Sequence, residues 1–301
     1  MSGLGGRLAA LRERVDGRLP ALLPPVHERP EAVHRAMHYA LTGPGKRVRP
    51  VLTLAVAEMF GAAGAATPVD TPVVDLACAV EMVHACSLIL DDLPAMDDAA
   101  RRRGRPTVHL EFGEAPALLA ALALLNRAYA LVVEAAQRLS LRRYTGEDLI
   151  HHLAAAIGSG GLIGGQALDL ASRPEELDLD LLEYIHSHKT GALFMAAGEL
   201  GAMAADARRR DLEVVSRYAK NLGLAFQISD DLLDVEATAE ETGKDAGQDA
   251  GKVTFVKLLG VEGARTLAAE LLGFAVGSLA PLGRKAEPLR ELAGFVERRR
   301  S

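Results

Sequence analysis

Apolar residues recur at helical spacing along most of the chain. One stripe comprises Leu8, Leu11, Val15 and Leu19, which lie three or four residues apart, as in an amphipathic helix. In a second segment both the stripe and the positions between its members are apolar: Val73, Leu76, Val80 and Val83, with Val74, Ala77, Cys78, Ala79 and Ala85 between them or close by. A helix that is apolar nearly all round is predicted to lie at the centre of the molecule.

Turn-forming residues separate the helical segments, but no internal repeat or long linker divides the chain. Clusters of Gly and Pro occur at residues 24–25, 43–45, 61–72, 104–106, 158–165, 243–251 and 281–283, as is typical of helix ends and loops. Alternation of apolar and polar residues, the pattern of strands, is rare. We therefore predict an all-α fold, a single large helical bundle over residues 1–301 around a central cavity.

Composition narrows the class of protein. Of the 301 residues, 49% are hydrophobic and 25% are charged, which is ordinary for a globular protein. A net charge of -6 argues against a nucleic-acid partner. Cys78 and Cys86 are predicted to be buried thiols in a reducing compartment. Because we find neither a signal-peptide pattern nor an uncharged apolar stretch of about 18 residues, we expect a cytoplasmic protein without a membrane span.

Two clusters of aspartates follow apolar segments far apart in the chain. The first covers residues 91–98 (DDLPAMDD) and the second covers residues 230–234 (DDLLD). Neighbouring carboxylates repel one another, so they remain ionised together most easily in water or around cations. At the edge of an apolar cavity, such groups point to a hard divalent cation, and first of all to magnesium.

The spacing within each cluster affects how it would grip a cation. On a helix, Asp230 and Asp234 share one face and Asp231 lies about 100° round. A straight helix does not align Asp91 with Asp97, but Pro94 would loosen the turn between them. Taken alone, either cluster is also compatible with an ordinary solvated acidic segment.

Separate basic clusters make the acidic ones harder to dismiss. They lie at residues 45–50 (GKRVRP), 101–104 (RRRG) and 188–191 (HKTG), and in the loop that holds Lys244 and Lys252. Arginine and lysine are the usual partners of phosphate oxygens. Acidic and basic clusters together indicate a site for two charged groups, one held through metal and one held directly.

At this level of detail the chain resembles the trans-polyprenyl diphosphate synthases, the short-chain farnesyl and geranylgeranyl diphosphate synthase group. The resemblance extends from about Arg35 to Leu259. Residues 91–98 resemble the first Asp-rich motif of the family, and residues 230–234 resemble the second. Residues 45–50, 164–169 (GGQALD), 188–191 and 226–227 (FQ) also match in order. The resemblance implies an all-α bundle that forms a homodimer.

The resemblance also implies roles for the matching residues. Three Mg2+ ions would be bound by Asp91, Asp97 and Asp230, with Asp92 and Asp234 supporting them and Asp231 in the same catalytic cluster. The allylic diphosphate would be neutralised by Arg102, Lys189, Lys244 and Lys252. The diphosphate of isopentenyl diphosphate would be held without metal by Lys46, Arg49, His84 and Arg103. Thr190 and Gln227 would line the reacting carbons.

In this family the reaction is an ionisation, condensation and elimination that extends an allylic diphosphate (dimethylallyl, geranyl or farnesyl) by five carbons. The residue five before the first aspartate faces the growing tail, and here it is Cys86, followed by Ser87 and one turn after Val83. Because Cys is small and apolar, the sequence favours geranylgeranyl diphosphate as the product. Farnesyl diphosphate, made by the same chemistry, is the alternative.

Three other classes fit the sequence less well. A ferritin-like di-metal protein would use Glu-x-x-His pairs, which occur at residues 31–34, 81–84 and 183–186, but it would leave both aspartate clusters unexplained. A terpene cyclase is expected to have more than 4% aromatic residues to stabilise migrating cations. A non-catalytic partner subunit of a synthase should have lost an aspartate or a key base, and this chain retains them.

Overall fold

The computed structural model describes residues 4–62, 71–236 and 253–298. Its helices are α1 (Leu4–Arg18), α2 (Glu31–Leu41), α3 (Val48–Met59), α4 (Pro72–Asp91), α5 (Val108–Phe112), α6 (Glu114–Arg138), α7 (Gly146–Ile157), α8 (Leu162–Ala171), α9 (Leu179–His186), α10 (Ala192–Ala204), α11 (Arg209–Glu236), α12 (Phe255–Ser278) and α13 (Glu287–Glu297). The predicted all-α fold is confirmed. Short 3-10 turns lie at Leu19–Leu22, Pro174–Glu176 and Ala280–Ala286, and a π turn spans Ser187–Gly191.

Helix α4 lies at the centre, as its apolar pattern predicts. It packs against α6, α3, α10 and α1, and most of its residues are buried. Its start is fixed by Thr71, whose side chain accepts a hydrogen bond from the Val74 N–H, and by Pro72 in the first turn. Two buried acids on α4 are paired with arginines: Asp75 with Arg18 and Arg138, and Glu81 with Arg47. These pairs let a central helix carry charge without leaving it uncompensated.

A small β-hairpin follows the first aspartate cluster and was not predicted. Strand β1 (Arg101–Arg102) pairs antiparallel with strand β2 (Arg105–Pro106). Arg103 (φ 53°) and Gly104 (φ 76°) form the two-residue turn, the left-handed conformation that a tight hairpin turn favours. The hairpin aims the arginine cluster back at the end of α4.

In the part of the chain that the structure describes, three helical segments have the length and apolar composition of a membrane span: Pro72–Asp91, Glu114–Arg138 and Gly146–Ala171. The sequence predicts no membrane span, because the strongly apolar run at residues 118–125 is ended too early by Arg127 and Glu134. In α4, 78% of the most apolar window is buried inside the fold, so its composition follows from its central position. In α6 only 39% of that window is buried, which leaves an apolar face at the surface.

Candidate active site

The first aspartate cluster begins on the last residue of α4 and folds back on itself. The Asp97 N–H donates to the Asp91 carbonyl (2.9 Å), and the Asp98 N–H donates to the Leu93 carbonyl (3.1 Å). Helix α4 ends here, as Pro94 predicts. The backbone bond from Asp97 to Asp91 brings together two residues that a continued helix would separate.

Asp92, in contrast to Asp91 and Asp97, is paired with an arginine of the hairpin. It is buried, and its carboxylate accepts hydrogen bonds from Arg102 Nε at 2.8 and 2.9 Å, while Arg102 Nη2 lies 2.6 Å from Oδ1. Such a bidentate pair ties the hairpin to the end of α4. It favours a supporting role for Asp92 rather than direct contact with a cation.

Asp91 is the carboxylate whose charge depends most on its surroundings. Burial raises the pKa of Asp91 to about 6, and the neighbouring Asp97 and Asp92 act in the same direction, against Lys189 and Arg102. A buried carboxylate beside other carboxylates is stabilised in its charged form by a cation. In residues 4–62, 71–236 and 253–298 no group of three acidic, His or Cys side chains is placed to hold a metal. The Asp91–Asp97 pair suits Mg2+, because this ion takes one or two carboxylates and completes its shell with water and substrate oxygens.

Lys189 and Thr190 lie in the π turn between α9 and α10. A π turn widens the helix and often occurs at functional sites. Lys189 Nζ lies 2.6 Å from Asp169 Oδ2 on α8, and this ion pair orients the Lys189 ammonium group. The ammonium is close enough to Asp91 to lower the pKa of that carboxyl group. Gly165 on α8 permits this approach, because a Cβ there would overlap with the Lys189 backbone nitrogen.

The second aspartate cluster lies near the end of α11. Asp230 and Asp234 are half-buried and one turn apart, whereas Asp231 is buried, so the predicted separation of faces is observed. The Asp231 carboxylate accepts from Gln227 Nε2 (3.0 Å) and from the Phe255 N–H (3.1 Å), and Gln227 accepts from the Thr190 hydroxyl (3.0 Å). Asp231 thus links the π turn, α11 and the start of α12.

Two of the predicted diphosphate ligands, Lys244 and Lys252, lie outside the described residues. Their roles stay predictions.

The basic cluster at residues 45–50 meets the arginine hairpin on one side of α4. Lys46 is exposed and Arg49 is half-buried. Arg49 Nη1 lies 3.5 Å from His84 Nε2, and its guanidinium lies 4.5 Å from the centre of the Phe194 ring. Arg103 approaches from the hairpin turn, close to Gly45. We call Lys46, Arg49, His84 and Arg103 the basic pocket.

The groups of the basic pocket affect one another's pKa values. Burial, together with Arg49, Arg103, Arg102 and Arg47, holds the pKa of His84 well below its ordinary value, so His84 is neutral and its Nε2 can accept from Arg49. Burial and the nearby arginines also lower the pKa of Arg103, against the attraction of Glu81. A concentration of cations that disfavour one another is a site for a polyanion.

The residues predicted to set product length lie on α4, within its last three turns. Cys86 and Val83 are 4% and 2% exposed, and the Ser87 hydroxyl donates to the His84 carbonyl (2.9 Å). Burial, with a contribution from Asp91, raises the pKa of Cys86 to about 12. Cys86 is therefore a small, buried, apolar side chain rather than a reactive thiolate.

Two residues of the site were not singled out from the sequence. Asp169 pairs with Lys189, and the GGQALD match was the signal that contained it. Arg47 lies between two predicted ligands and is 4% exposed, whereas a run of basic residues predicts surface positions. Neither partner could be identified from spacing, since each pair joins distant parts of the chain.

An acidic pair suited to magnesium and a separate basic pocket lie near the end of an apolar central helix. Comparison with known proteins identifies the family. The chain matches the polyprenyl synthetase family over residues 30–276. It is 41% identical to farnesyl diphosphate synthase of Escherichia coli, over 97% of this chain and 98% of that protein. It is 42% identical to geranylgeranyl pyrophosphate synthase 11, chloroplastic, of Arabidopsis thaliana, over 89% of this chain and 75% of that protein.

Among solved structures, geranyltransferase of Helicobacter pylori, complexed with magnesium and isoprenyl diphosphate, superposes with a TM-score of 0.83 at 30% identity, over 98% of this chain and 97% of that one. The chain belongs to the polyprenyl synthetase family and is a short-chain prenyltransferase. The family resemblance drawn from the motifs is confirmed.

Proposed function

We propose that the enzyme condenses isopentenyl diphosphate with allylic diphosphates, and that it binds the two diphosphates by different means. The allylic diphosphate is held at the aspartate clusters through magnesium, and isopentenyl diphosphate is held by the basic pocket without metal. The observation that carries the proposal is the separation of the Asp91–Asp97 pair from Lys46, Arg49, His84 and Arg103 on the same end of α4. The relatives named above act in the same chemistry.

On the allylic side, the chain supplies carboxylates and two oriented cations. The family is magnesium-dependent, and the metal supplies Lewis-acid stabilisation of the departing diphosphate. Asp91, Asp97 and Asp230 would hold the metal once the diphosphate is bound, and the second-cluster residue Asp234 would support it. Lys189, oriented by Asp169, and Arg102, oriented by Asp92, donate to the diphosphate oxygens as negative charge develops on them. Three ions would fit the family picture.

Around the reacting carbons, the chain excludes water and supplies few polar atoms. Ionisation leaves an allylic carbocation, which water would quench, so the pocket must be dry. Buried Val83 and Leu224 belong to the apolar helices around it. Thr190 and Gln227 supply polar atoms here, and the Thr190 hydroxyl donates to the Gln227 side-chain oxygen. Their oxygen atoms can stabilise the carbocation through their dipoles without acting as nucleophiles.

On the isopentenyl side, the chain holds a diphosphate and leaves the double bond free to attack. Arg49 and Arg103 present planar guanidinium groups that match diphosphate oxygens, and exposed Lys46 adds an ammonium group. Neutral His84 orients Arg49. Attack joins the homoallylic carbon to the cation, and loss of a proton to the released diphosphate restores a double bond.

We further propose geranylgeranyl diphosphate as the product, because small, buried Cys86 leaves the path of the tail open. Farnesyl diphosphate is the alternative, and the comparisons favour both products equally, since relatives of both kinds are about as similar. Cys86 supports the longer product because a thiol occupies much less space than an aromatic ring.

A homodimer would cover the apolar face of α6. Leu118, Leu119, Leu122 and Val133 on this helix are 40–53% exposed, and a self-complementary patch is the usual basis of a two-fold dimer. The reduced, buried Cys78 and Cys86 support a cytoplasmic location.

The experiment is a product assay with mass identification. The purified chain is incubated with isopentenyl diphosphate, Mg2+ and each of the five-, ten- and fifteen-carbon allylic diphosphates. A twenty-carbon product from all three starters supports the proposal. Accumulation of a fifteen-carbon product, with no turnover of the fifteen-carbon starter, would establish the farnesyl alternative. No condensation with any starter would contradict the proposed activity.

A further inference from the structure

Arg47 occupies an unusual position beneath the basic pocket. It precedes the first residue of α3 with φ 50° and ψ 33°, the left-handed conformation, which costs free energy for any residue with a Cβ. Its side chain is directed into the protein, and the residue as a whole is 4% exposed. Its neighbours Lys46 and Arg49, in contrast, are exposed and half-buried. A strained backbone and a buried charge in one residue imply strong compensating contacts.

The compensating contacts come from three parts of the chain. Arg47 Nη1 lies 2.5 Å from Glu81 Oε1 on α4, and Nε lies 2.8 Å from Asp16 Oδ1 on α1. Nη2 donates to the carbonyls of Leu41 and Gly43, each at 2.8 Å. The planar guanidinium thus joins α1, α4 and the end of α2 to the loop that carries Lys46.

The same contacts leave Arg47 unsuited to bind an anion directly. Although burial opposes its charge, Glu81 and Asp16 more than compensate and raise the pKa of Arg47, so its charge is neutralised within the protein. Its position nevertheless affects the ligands around it. A Cβ built on Gly45 would lie 3.0 Å from Nη1 of Arg47 and 3.0 Å from Nη1 of Arg103, so the 45–47 backbone is packed between these two guanidinium groups.

We propose that Arg47 is a positioning residue for isopentenyl diphosphate: it fixes the loop at residues 41–47 so that Lys46, Arg49 and Arg103 converge on one diphosphate. This inference rests on the proposed function of the basic pocket. A lysine at this position would keep the charge, but a single ammonium cannot reach two carboxylates and two carbonyls arranged around a planar fork.

The test compares Arg47→Lys with the wild-type full chain by two measurements. Titration calorimetry without metal gives the Kd for isopentenyl diphosphate, and steady-state kinetics with Mg2+ give the KM for each substrate. We expect the Kd and KM for isopentenyl diphosphate to rise about tenfold, as for the loss of one or two charged hydrogen bonds, and the KM for the allylic substrate to change by less than about twofold.

The matched control is Arg18→Lys, which alters an arginine of α1 that is paired with a different buried acid of α4, Asp75. It should leave both KM values near wild type. Asp16→Asn removes only the partly exposed partner of Arg47 and should shift the Kd in the same direction by less; it decides the question if Arg47→Lys fails to fold.

An unchanged Kd for isopentenyl diphosphate in these variants, or an equal rise in both KM values, would overturn the positioning role. Failure of the proposed function would look different, because the wild-type chain itself would then form no product or bind no isopentenyl diphosphate.

Discussion

In the proposed function, the acidic and basic halves of the site each bind a diphosphate, although their charges are opposite. At the acidic half, Asp91 and Asp97 are brought together by a backbone hydrogen bond, and burial raises the pKa of Asp91 to about 6. At the basic half, Arg49 and Arg103 converge beside neutral His84. In the proposed function, the first half needs a cation before it can accept an anion, whereas the second does not.

The difference has a chemical purpose. The allylic diphosphate must leave during the reaction, so it requires strong stabilisation of developing charge, which a divalent cation supplies. Isopentenyl diphosphate keeps its diphosphate throughout and needs only to be positioned.

The largest expected effect breaks the acidic half alone. Asp91→Asn keeps the size of the side chain but removes a carboxylate from the metal site, so kcat should fall at least about 100-fold. The measurement is single-turnover kinetics at saturating Mg2+. Asp98→Asn is the matched control, because Asp98 is exposed and has φ 47°, which Asn tolerates well; it should keep near wild-type kcat. Near wild-type kcat for Asp91→Asn would remove that residue from the metal role.

The basic half should respond in KM rather than in kcat. Arg49→Gln removes the guanidinium that lies beside His84 and over Phe194. We expect the KM for isopentenyl diphosphate to rise by about tenfold or more, with little change in the KM for the allylic substrate. Arg35→Gln, on the exposed face of α2, should leave both unchanged. A fall in kcat without a change in KM would place Arg49 in the ionisation step instead.

Product length should respond to a substitution at Cys86, which belongs to neither the acidic half nor the basic half of the site. Cys86→Tyr places a ring in a buried position of α4, so the product should shorten from twenty to fifteen carbons while the initial condensation rate stays within about threefold. Product masses give the result, with Cys86→Ser as the control of similar size. If the Tyr variant made products of wild-type length, the tail would follow a different path.

The smallest effect concerns stability away from both pockets. His152 Nδ1 lies 2.7 Å from Glu199 Oε2, and Ser216 donates to the other oxygen of Glu199 (2.6 Å). The hydrogen bond to Glu199 raises the pKa of His152, and the charge of Asp148 raises it further. Burial and the charge of Arg209 lower the pKa of His152.

Because the pKa of His152 is higher in the folded state than in the unfolded state, the stabilisation from its pair with Glu199 is complete below the unfolded pKa of about 6.5. It is lost as the pH rises through the folded-state pKa. His152→Gln should therefore lower the free energy of unfolding by about 1 kcal/mol at low pH and by less at high pH. Denaturant unfolding at both values measures it. A loss that grows with pH would contradict the assignment.

Much of the fold was predictable because it depends on local patterns. The apolar residues of α4 are spaced for a helix on every face, and the helix is central. The separation of Asp231 from Asp230 and Asp234 follows from helical geometry alone. The break after Asp92 follows from Pro94.

The features that were not predicted depend on contacts between distant residues. The hairpin at Arg101–Pro106 lacks β-branched residues, and it is held by the pair between Arg102 and Asp92. The π turn at Ser187–Gly191 is possible because Gly165 of another helix leaves room for it. The burial of Arg47 requires Asp16 and Glu81, which lie 31 and 34 residues away in the chain.

The central claim is that one diphosphate is bound through metal and the other directly. The most direct test is titration calorimetry of isopentenyl diphosphate and of an unreactive allylic thiolodiphosphate, each with Mg2+ and with a chelator. We expect the chelator to abolish binding of the allylic analogue and to leave the Kd for isopentenyl diphosphate within about twofold. Loss of isopentenyl diphosphate binding in the chelator, or metal-independent binding of the analogue, would contradict the account.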